Sequence, residues 1–431
     1  MAERKLDKSN DLLRRAEQII PRAAQTLSKA PDQFMRGVSP YAIERGKGCR
    51  VWDVDGNEYI DLSSSLGAII LGYRHPVVEE AVKKQREKGT IFTLPGDLEV
   101  ELAEKIKSII PFVEMIRFGI NGSDATTGAI RVARAYTGRD HVAKCGYHGW
   151  ADWTIATHPL RSKGIPQAVK DLTHEFKYGD VASLEKIFSD YPNQVAAVIL
   201  EPMHSGLPDK EFLQAIKDLA HKNGTVLIFD EIVTGFRVSM GGVAGLCDVF
   251  PDLVCYGKSI SNGEPISVFG GKKEIMSVLD GQDVFVSFTY AGYLPSIAAA
   301  LAVLDFMQKN GVQKKIWDVG SVFLKSCQTL IEKHKIPVGV AGVGPLVGLT
   351  FKNNDGSDNL ILKSLFMQET AKHGILTNTS NLINYSHDLS VVDEVVWRLD
   401  SIFGIMKKAV DENRVEAALE GPVIRPRSKP Q

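Results

Sequence analysis

The chain is 431 residues long, with 44% apolar and 24% charged residues and a formal net charge of -1. That length exceeds one small core and suits a large domain with smaller appendages. The near-zero charge excludes a bulk basic field for nucleic acid or an anionic membrane, so partners must be recognised locally.

Five scattered cysteines (Cys49, Cys145, Cys247, Cys255 and Cys327) form no CxxC pair. Neither a disulfide framework nor a structural zinc site is expected, and a reducing compartment fits. The N-terminus is charged and lacks the apolar centre of a secretory signal, and no apolar run approaches the about 20 residues of a membrane span. A cytoplasmic location is expected.

In chain order, residues 10–30 read as an exposed amphipathic helix and a linker ending near Pro31. Cys49–Asp61 then reads as a hairpin turning at Asp55-Gly56. From about residue 97 helices alternate with short apolar strands, with Leu98, Leu102, Ile106 and Ile109 at helical spacing. Strands are predicted at Met115–Phe118, His141–Lys144, Val195–Leu200, Thr225–Phe229 and Leu253–Tyr256. Helices are predicted at Thr127–Tyr136 and Glu211–His221, the second closed near Gly224. This alternation predicts an α/β fold with a mostly parallel sheet covered on both faces. After Gly311 come a helix (Lys314–His334), a Gly/Val stretch (Val338–Val347) and further helices, an α+β lobe. The expected domains are residues 1–80 (N-terminal segment and small lobe), 81–310 (large domain) and 311–431 (C-terminal small domain). The Pro-rich tail Gly421–Gln431 is expected to be poorly ordered.

Ligands of parallel sheets bind beyond the carboxyl ends of the strands, and four polar constellations stand there. Gly119–Thr126 opens a helix with small residues, where backbone N–H groups and the helix dipole favour an anion such as phosphate. An ordinary helix cap explains the same residues. Gly146–Trp150 offers an aromatic ring at Tyr147 for stacking on a planar ligand, or else simply packs a loop. Val226–Asp230 is an apolar strand that delivers a carboxylate, costly to bury without a cationic partner. A protonated pyridine nitrogen or Mg²⁺ would serve. The chain has no GxxxxGK[ST] phosphate loop, which weakens the nucleotide reading. Finally, Pro251–Gly263 places Lys258 after an apolar strand, where a lysine either snorkels to the surface or loses its proton and forms a Schiff base.

Together these four match the needs of pyridoxal 5′-phosphate (PLP): a lysine for the imine, a carboxylate for the ring nitrogen, an aromatic face and an anion site. In order along the chain, these segments resemble the class III aminotransferases, and most closely the glutamate-1-semialdehyde aminomutase subgroup. The resemblance rests on Phe229-Asp230-Glu231, Gly235-Phe236-Arg237, Pro251-Asp252 and Gly257-Lys258, with Trp52–Asp61 and Leu71–Pro76 matching the N-terminal lobe.

The resemblance implies PLP fold type I, the aspartate-aminotransferase-like architecture, with a smaller α+β lobe built from both termini. It implies that Lys258 is the Schiff-base lysine and Asp230 the partner of the pyridine nitrogen. Tyr147 and Ile232 would flank the ring, Gly122 and Ser123 would bind the phosphate, and Glu201 would lie near the cofactor. Thr289 would reach the phosphate bound by a neighbouring subunit, making a homodimer with shared active sites. No metal, nucleic acid or membrane partner is expected.

The departures concern substrate. The Gly/Ser-rich gating loop of the aminomutase is missing from Trp150–Tyr178, its carboxylate-binding arginine falls on Lys29, and its C-terminal glutamate has no match near Asn378–His387. The expectation is therefore amino transfer from an amino acid or amine to an aldehyde or ketone, a sugar or other bulky carbonyl compound among the candidates, with pyridoxamine 5′-phosphate in the cycle. An aminomutase, racemase or decarboxylase on the same scaffold is the alternative.

Overall fold

The computed structural model describes residues 4–204 and 206–425. The chain divides into two compact units, one containing the segments up to His75 and from Lys314 onward, the other Pro76–Gln313.

In the first unit the opening helix, Asp7–Ile19, buries Ser9, Leu13 and Ala16 and ends just before Pro21, whose ring and missing N–H prevent continuation. Short 3₁₀ turns follow in the stretch expected to be a linker. The expected hairpin forms from Arg50–Asp53 and Glu58–Asp61, antiparallel, with Gly56 at φ 90° in its turn. It lies in a four-stranded sheet whose outer member, Ile375–Leu376, pairs parallel with Glu58–Asp61. The Gly/Val stretch becomes two antiparallel strands, Val338–Val343 and Leu346–Phe351, extended by Ser380–Leu382. The helix Leu389–Asp411 buries Val392, Val395, Leu399, Ile402, Phe403 and Met406, one face at helical spacing.

The tail departs from expectation as far as Arg425. Ile424 is buried and its N–H donates to Ser364 Oγ at 3.0 Å, while Arg425 N–H donates to Asp32 O at 2.9 Å, so backbone hydrogen bonds hold it. Residues 426–431 of the expected disordered tail lie outside the described residues.

The second unit is an α/β sandwich around a seven-stranded sheet. Its strands are β1 (Met115–Gly119), β2 (His141–Cys145), β3 (Thr173–Glu175), β4 (Val195–Leu200), β5 (Val226–Asp230), β6 (Leu253–Tyr256) and β7 (Ser267–Gly271). They lie in the order β1-β7-β6-β5-β4-β2-β3. All pairs are parallel except those that β7 makes with β1 and β6. Because β7 is antiparallel to both neighbours, β1 runs in the same direction as β6, and its carboxyl end joins the others. Every residue of β4, β5 and β6 is buried, as their unbroken apolar runs require.

The helix Gly122–Thr137 covers the sheet with Ala125, Ala129, Val132 and Ala133, against Val142, Ile199, Ile228 and Phe269. It packs closely because Gly128 leaves room: a Cβ there would stand 2.7 Å from the Phe269 ring. All five cysteines are buried free thiols, and among the described residues no helix is long and apolar enough to cross a membrane.

Candidate active site

Asp230 is the last residue of β5 and pairs in register with Cys255 of β6, so Lys258 follows only three residues beyond that point on the adjacent strand. The 28 positions between Asp230 and Lys258 in sequence thus collapse to neighbouring strand ends. Lys258 is half-buried and holds a positive φ of 45°, a left-handed conformation uncommon for a side chain that is not glycine. It opens a 3₁₀ turn, Lys258–Ser261, that leads the chain off the sheet. Such local strain is commonly stored where a side chain must be aimed.

The Asp230 carboxylate is 5% exposed and held on both oxygens. His148 Nδ1 donates to Oδ2 at 2.8 Å, and Ile232 N–H donates to Oδ1 at 3.1 Å. A carboxylate only accepts, so this contact places the imidazole proton on Nδ1. The His148 ring is itself buried and stacked on Trp153, with centroids 6.0 Å apart. Its backbone carbonyl accepts from Thr126 Oγ1 at 2.7 Å, which ties the loop after β2 to the helix Gly122–Thr137.

That helix begins at Gly122, five residues earlier than the sequence suggested, so Gly122 and Ser123 are its first turn rather than a preceding loop. The capping alternative holds as well: Asn121 Oδ1 accepts from Ser123 N–H and Asp124 N–H at 3.0 and 3.2 Å. Ser123 Oγ accepts from Trp150 N–H at 3.0 Å. Gly149 makes that approach feasible, with φ 115° and a position where a Cβ would come within 2.1 Å of Ser123 Oγ.

Ile232 completes the link between the two halves of the site. Its side chain faces both Gly122 and Gly257, at 3.4 and 3.1 Å from where their Cβ atoms would be. Glu201, just past β4, accepts from Tyr147 N–H at 3.0 Å. Tyr147 remains 48% exposed, a ring with one side open to a ligand. Burial raises its phenol pKa, the Asp230 and Glu201 charges add to this, and Arg161 opposes them.

The hydrogen bonds and close approaches just described therefore connect Gly122, Ser123, Tyr147, Glu201, Asp230, Ile232 and the turn that opens with Lys258. Thr289 stands apart, on an exposed turn between Phe288 and Tyr293. The donor set fits PLP: a strand-end carboxylate with a cationic partner to gain, a lysine one strand away, an open aromatic face and a helix start.

Two residues carry more of this geometry than the sequence revealed. His148 lay inside a quoted motif but showed no link to Asp230, because the contact spans two strands. Glu231 is fully buried and accepts from Val243 N–H at 2.9 Å, from Ala244 N–H at 2.8 Å and from the Thr234 hydroxyl. It fixes the segment after β5, and burial pushes its pKa up to about 7 despite those donors.

Residues 34–410 match the family Aminotransferase class-III. The chain belongs to the class III aminotransferases. It is 35% identical over 383 residues to 3-aminobutyryl-CoA aminotransferase of Cloacimonas acidaminovorans, covering 87% of this chain and 91% of that protein. It is 39% identical over 325 residues to a glutamate-1-semialdehyde 2,1-aminomutase of Desulforamulus reducens, covering 72% and 74%.

Among solved structures, the PLP internal aldimine form of Sphingopyxis sp. MTA144 FumI protein superimposes with a TM-score of 0.87. That match covers 96% of this chain and 99% of that one at 24% identity, a likeness of fold. The family makes this class III enzyme a PLP-dependent aminotransferase, and its fold is PLP fold type I.

Proposed function

We propose that this aminotransferase exchanges amino groups between two separate substrates, an amino acid or amine donor and an aldehyde or ketone acceptor. One observation carries the choice. The segment after Tyr147 is a short, pinned structure rather than a long Gly/Ser-rich lid: it forms a helix at Asp152–Ile155, and Thr154 Oγ1 donates to Gly149 O at 2.7 Å. A site without a long lid suits release of one product before the next substrate enters, whereas an internal exchange must retain its intermediate.

In this reading Lys258 would hold the cofactor, and its amine would carry the proton at the substrate Cα. Asp230, held by His148, would keep the pyridine nitrogen protonated; Tyr147 and Ile232 would flank the ring; Gly122 and Ser123 would hold the phosphate. Glu201 positions Tyr147 through its backbone. When bound, PLP withdraws electrons from the substrate and stores the amino group between the two half-reactions. Thr289 would reach the phosphate of a second copy, making the enzyme a homodimer. Phe285, 75% exposed, precedes Thr289 and Tyr290, 60% exposed, follows it directly, apolar surface suited to such a contact.

The acceptor classes to test first are sugars and other bulky carbonyl compounds. The relative named for 3-aminobutyryl-CoA adds β-amino thioesters to the donors. The aminomutase relatives support a second reading, internal amino exchange on one substrate. Mixing the holoenzyme with donors alone separates the two. Two-substrate exchange gives one equivalent of oxo product and a visible absorbance change that only an acceptor reverses. Conversion of a single substrate to its isomer with no acceptor would overturn the proposal. Lys258→Ala should abolish both the visible band and turnover.

A further inference from the structure

We infer that Glu231 is a positioning residue for the carboxylate assigned to the ring nitrogen: through the peptide it shares with Ile232, it fixes the hydrogen bond that holds Asp230 Oδ1. This rests on the assignment of Asp230 made above and concerns a fully buried side chain that acts through its neighbour.

Glu231 follows the last residue of β5, and its backbone is bonded on both sides. Its N–H donates to Cys255 O at 2.9 Å, and its carbonyl accepts from Gly235 N–H at 2.7 Å. The chain then makes an excursion and returns at a short helix, Gly242–Cys247. The Glu231 side chain closes that excursion at its root. Oε2 accepts from Val243 N–H at 2.9 Å and from the Thr234 hydroxyl, and Oε1 accepts from Ala244 N–H at 2.8 Å. The returning backbone comes so near that position 242 has no room for a side chain. Gly242 has φ 68°, and a Cβ there would stand 2.4 Å from Glu231 Oε2.

A carboxylate suits this place and an amide does not. The donors are neutral and fall on both oxygens, so each of the two atoms must accept. Glutamine would turn an NH₂ group toward a backbone N–H. Burying a carboxylate is costly, and donors such as these offset the lost water. The Glu231 carbonyl, pinned by Gly235, belongs to the same peptide unit as the Ile232 N–H. That N–H donates to Asp230 Oδ1 at 3.1 Å. Asp230 is thus held from two directions, by His148 on Oδ2 and by the Glu231-anchored peptide on Oδ1. Rotation of this peptide would release Oδ1 and swing the Ile232 side chain away from Gly122 and Gly257.

Three quantities test this: the dissociation constant of PLP by equilibrium dialysis, the visible circular dichroism of the bound cofactor, and the melting temperature of the cofactor-free enzyme. Glu231→Gln should raise the dissociation constant at least roughly ten-fold, the effect of one lost hydrogen bond to a charged group, and weaken the dichroism. Gly242→Ala, which pushes on the same carboxylate from the other side, and the milder Thr234→Val should shift both in the same direction. Leu184→Ala, in the buried face of the helix Val181–Asp190, should lower the melting temperature and leave both cofactor readouts unchanged. Since Glu231 acts through Asp230, Glu231→Gln should add little to Asp230→Ala in a double-mutant cycle.

If Glu231→Gln and Thr234→Val lower only the melting temperature, as Leu184→Ala does, Glu231 supports the loop and positions nothing. A full effect of Glu231→Gln in the Asp230→Ala background would overturn the route through Asp230. If Asp230→Ala itself leaves PLP affinity intact, the assignment of Asp230 to the ring nitrogen fails, and the role of Glu231 with it. Should Glu231→Gln not fold, Thr234→Val decides.

Discussion

Replacing His148 by Ala puts the organisation of the site to a quantitative test. The side chain has 0% exposure, and that of its partner Asp230 has 4%. Its Nδ1 supplies one of the two hydrogen bonds that hold the Asp230 carboxylate. A hydrogen bond to a charged group contributes about 1.5–3 kcal/mol, and a buried charge that loses its partner costs about 3–5 kcal/mol. Some water will enter the space vacated by the ring and solvate Asp230, which favours the lower part of that range. The opposite nitrogen, Nε2, is buried without a partner among the described residues, so the polar value of this imidazole resides in Nδ1. The expected loss is therefore about 3 kcal/mol in urea unfolding of the enzyme freed of cofactor. His148→Asn, which keeps an N–H donor on a shorter side chain, should lose less. PLP should also dissociate faster from His148→Ala, since the carboxylate that would face the ring nitrogen is no longer fixed. A loss below about 0.5 kcal/mol, the scatter of ordinary surface changes, would refute the view that His148 holds Asp230.

Other consequences are open to measurement. Gly149→Ala combines a φ of 115° with a Cβ placed 2.1 Å from Ser123 Oγ. It should destabilise the fold by about 1–3 kcal/mol and weaken PLP retention, measured by equilibrium dialysis. A pH effect is expected from the stacked pair at the amino ends of β2 and β3, where His141 Nδ1 and His174 Nε2 stand 2.7 Å apart. Burial, and then the charge of His141, lowers the His174 pKa to about 4, and burial also lowers His141. The unfolded chain, with histidines near about 6.5, takes up protons first as pH falls, so stability declines from about pH 6.5 toward 4. His174→Gln should flatten that decline in thermal melts taken across the window; an unchanged slope would dismiss the pair as its source.

The sheet was legible because its strands are unbroken apolar runs. Val195–Leu200 and Leu253–Tyr256 have the boundaries their composition suggests. β7 was not, since Ser-Val-Phe-Gly-Gly carries two glycines and has no helical crossover to mark it, and β3 is only three residues long. The helix start was misplaced for a related reason. Gly122 and Ser123 read as loop residues, yet Asn121 caps the helix and Asp124 accepts back from Ile120 N–H and Asn121 N–H, which draws them into its first turn. Asp230 and Lys258 could be nominated from strand ends, but the bond from His148 to Asp230 joins residues 82 positions apart, and no local pattern encodes it.

The same contrast separates the strand ends from the segment 157–165. The groups fitted to PLP lie at the ends of β2, β4, β5 and β6 and at one helix start, places fixed by the sheet itself. Strand register alone brings Asp230 beside Cys255, and therefore close to Lys258, in any sequence that keeps these strands. The segment 157–165 is set instead by side chains: the half-buried Glu175 beside the buried Lys144, the Thr157 hydroxyl and the His158 ring. Such a loop can be rebuilt without disturbing the sheet, because its anchors lie at its root and its tip carries little of the core. Leu160, 81% exposed, sits at that tip beside Arg161. Substitutions in 157–165 should accordingly leave the strand ends untouched. Grafting a differently charged segment there should leave PLP binding intact, as equilibrium dialysis can measure. Loss of PLP binding from a correctly folded graft would show that loop and cofactor site are not separable.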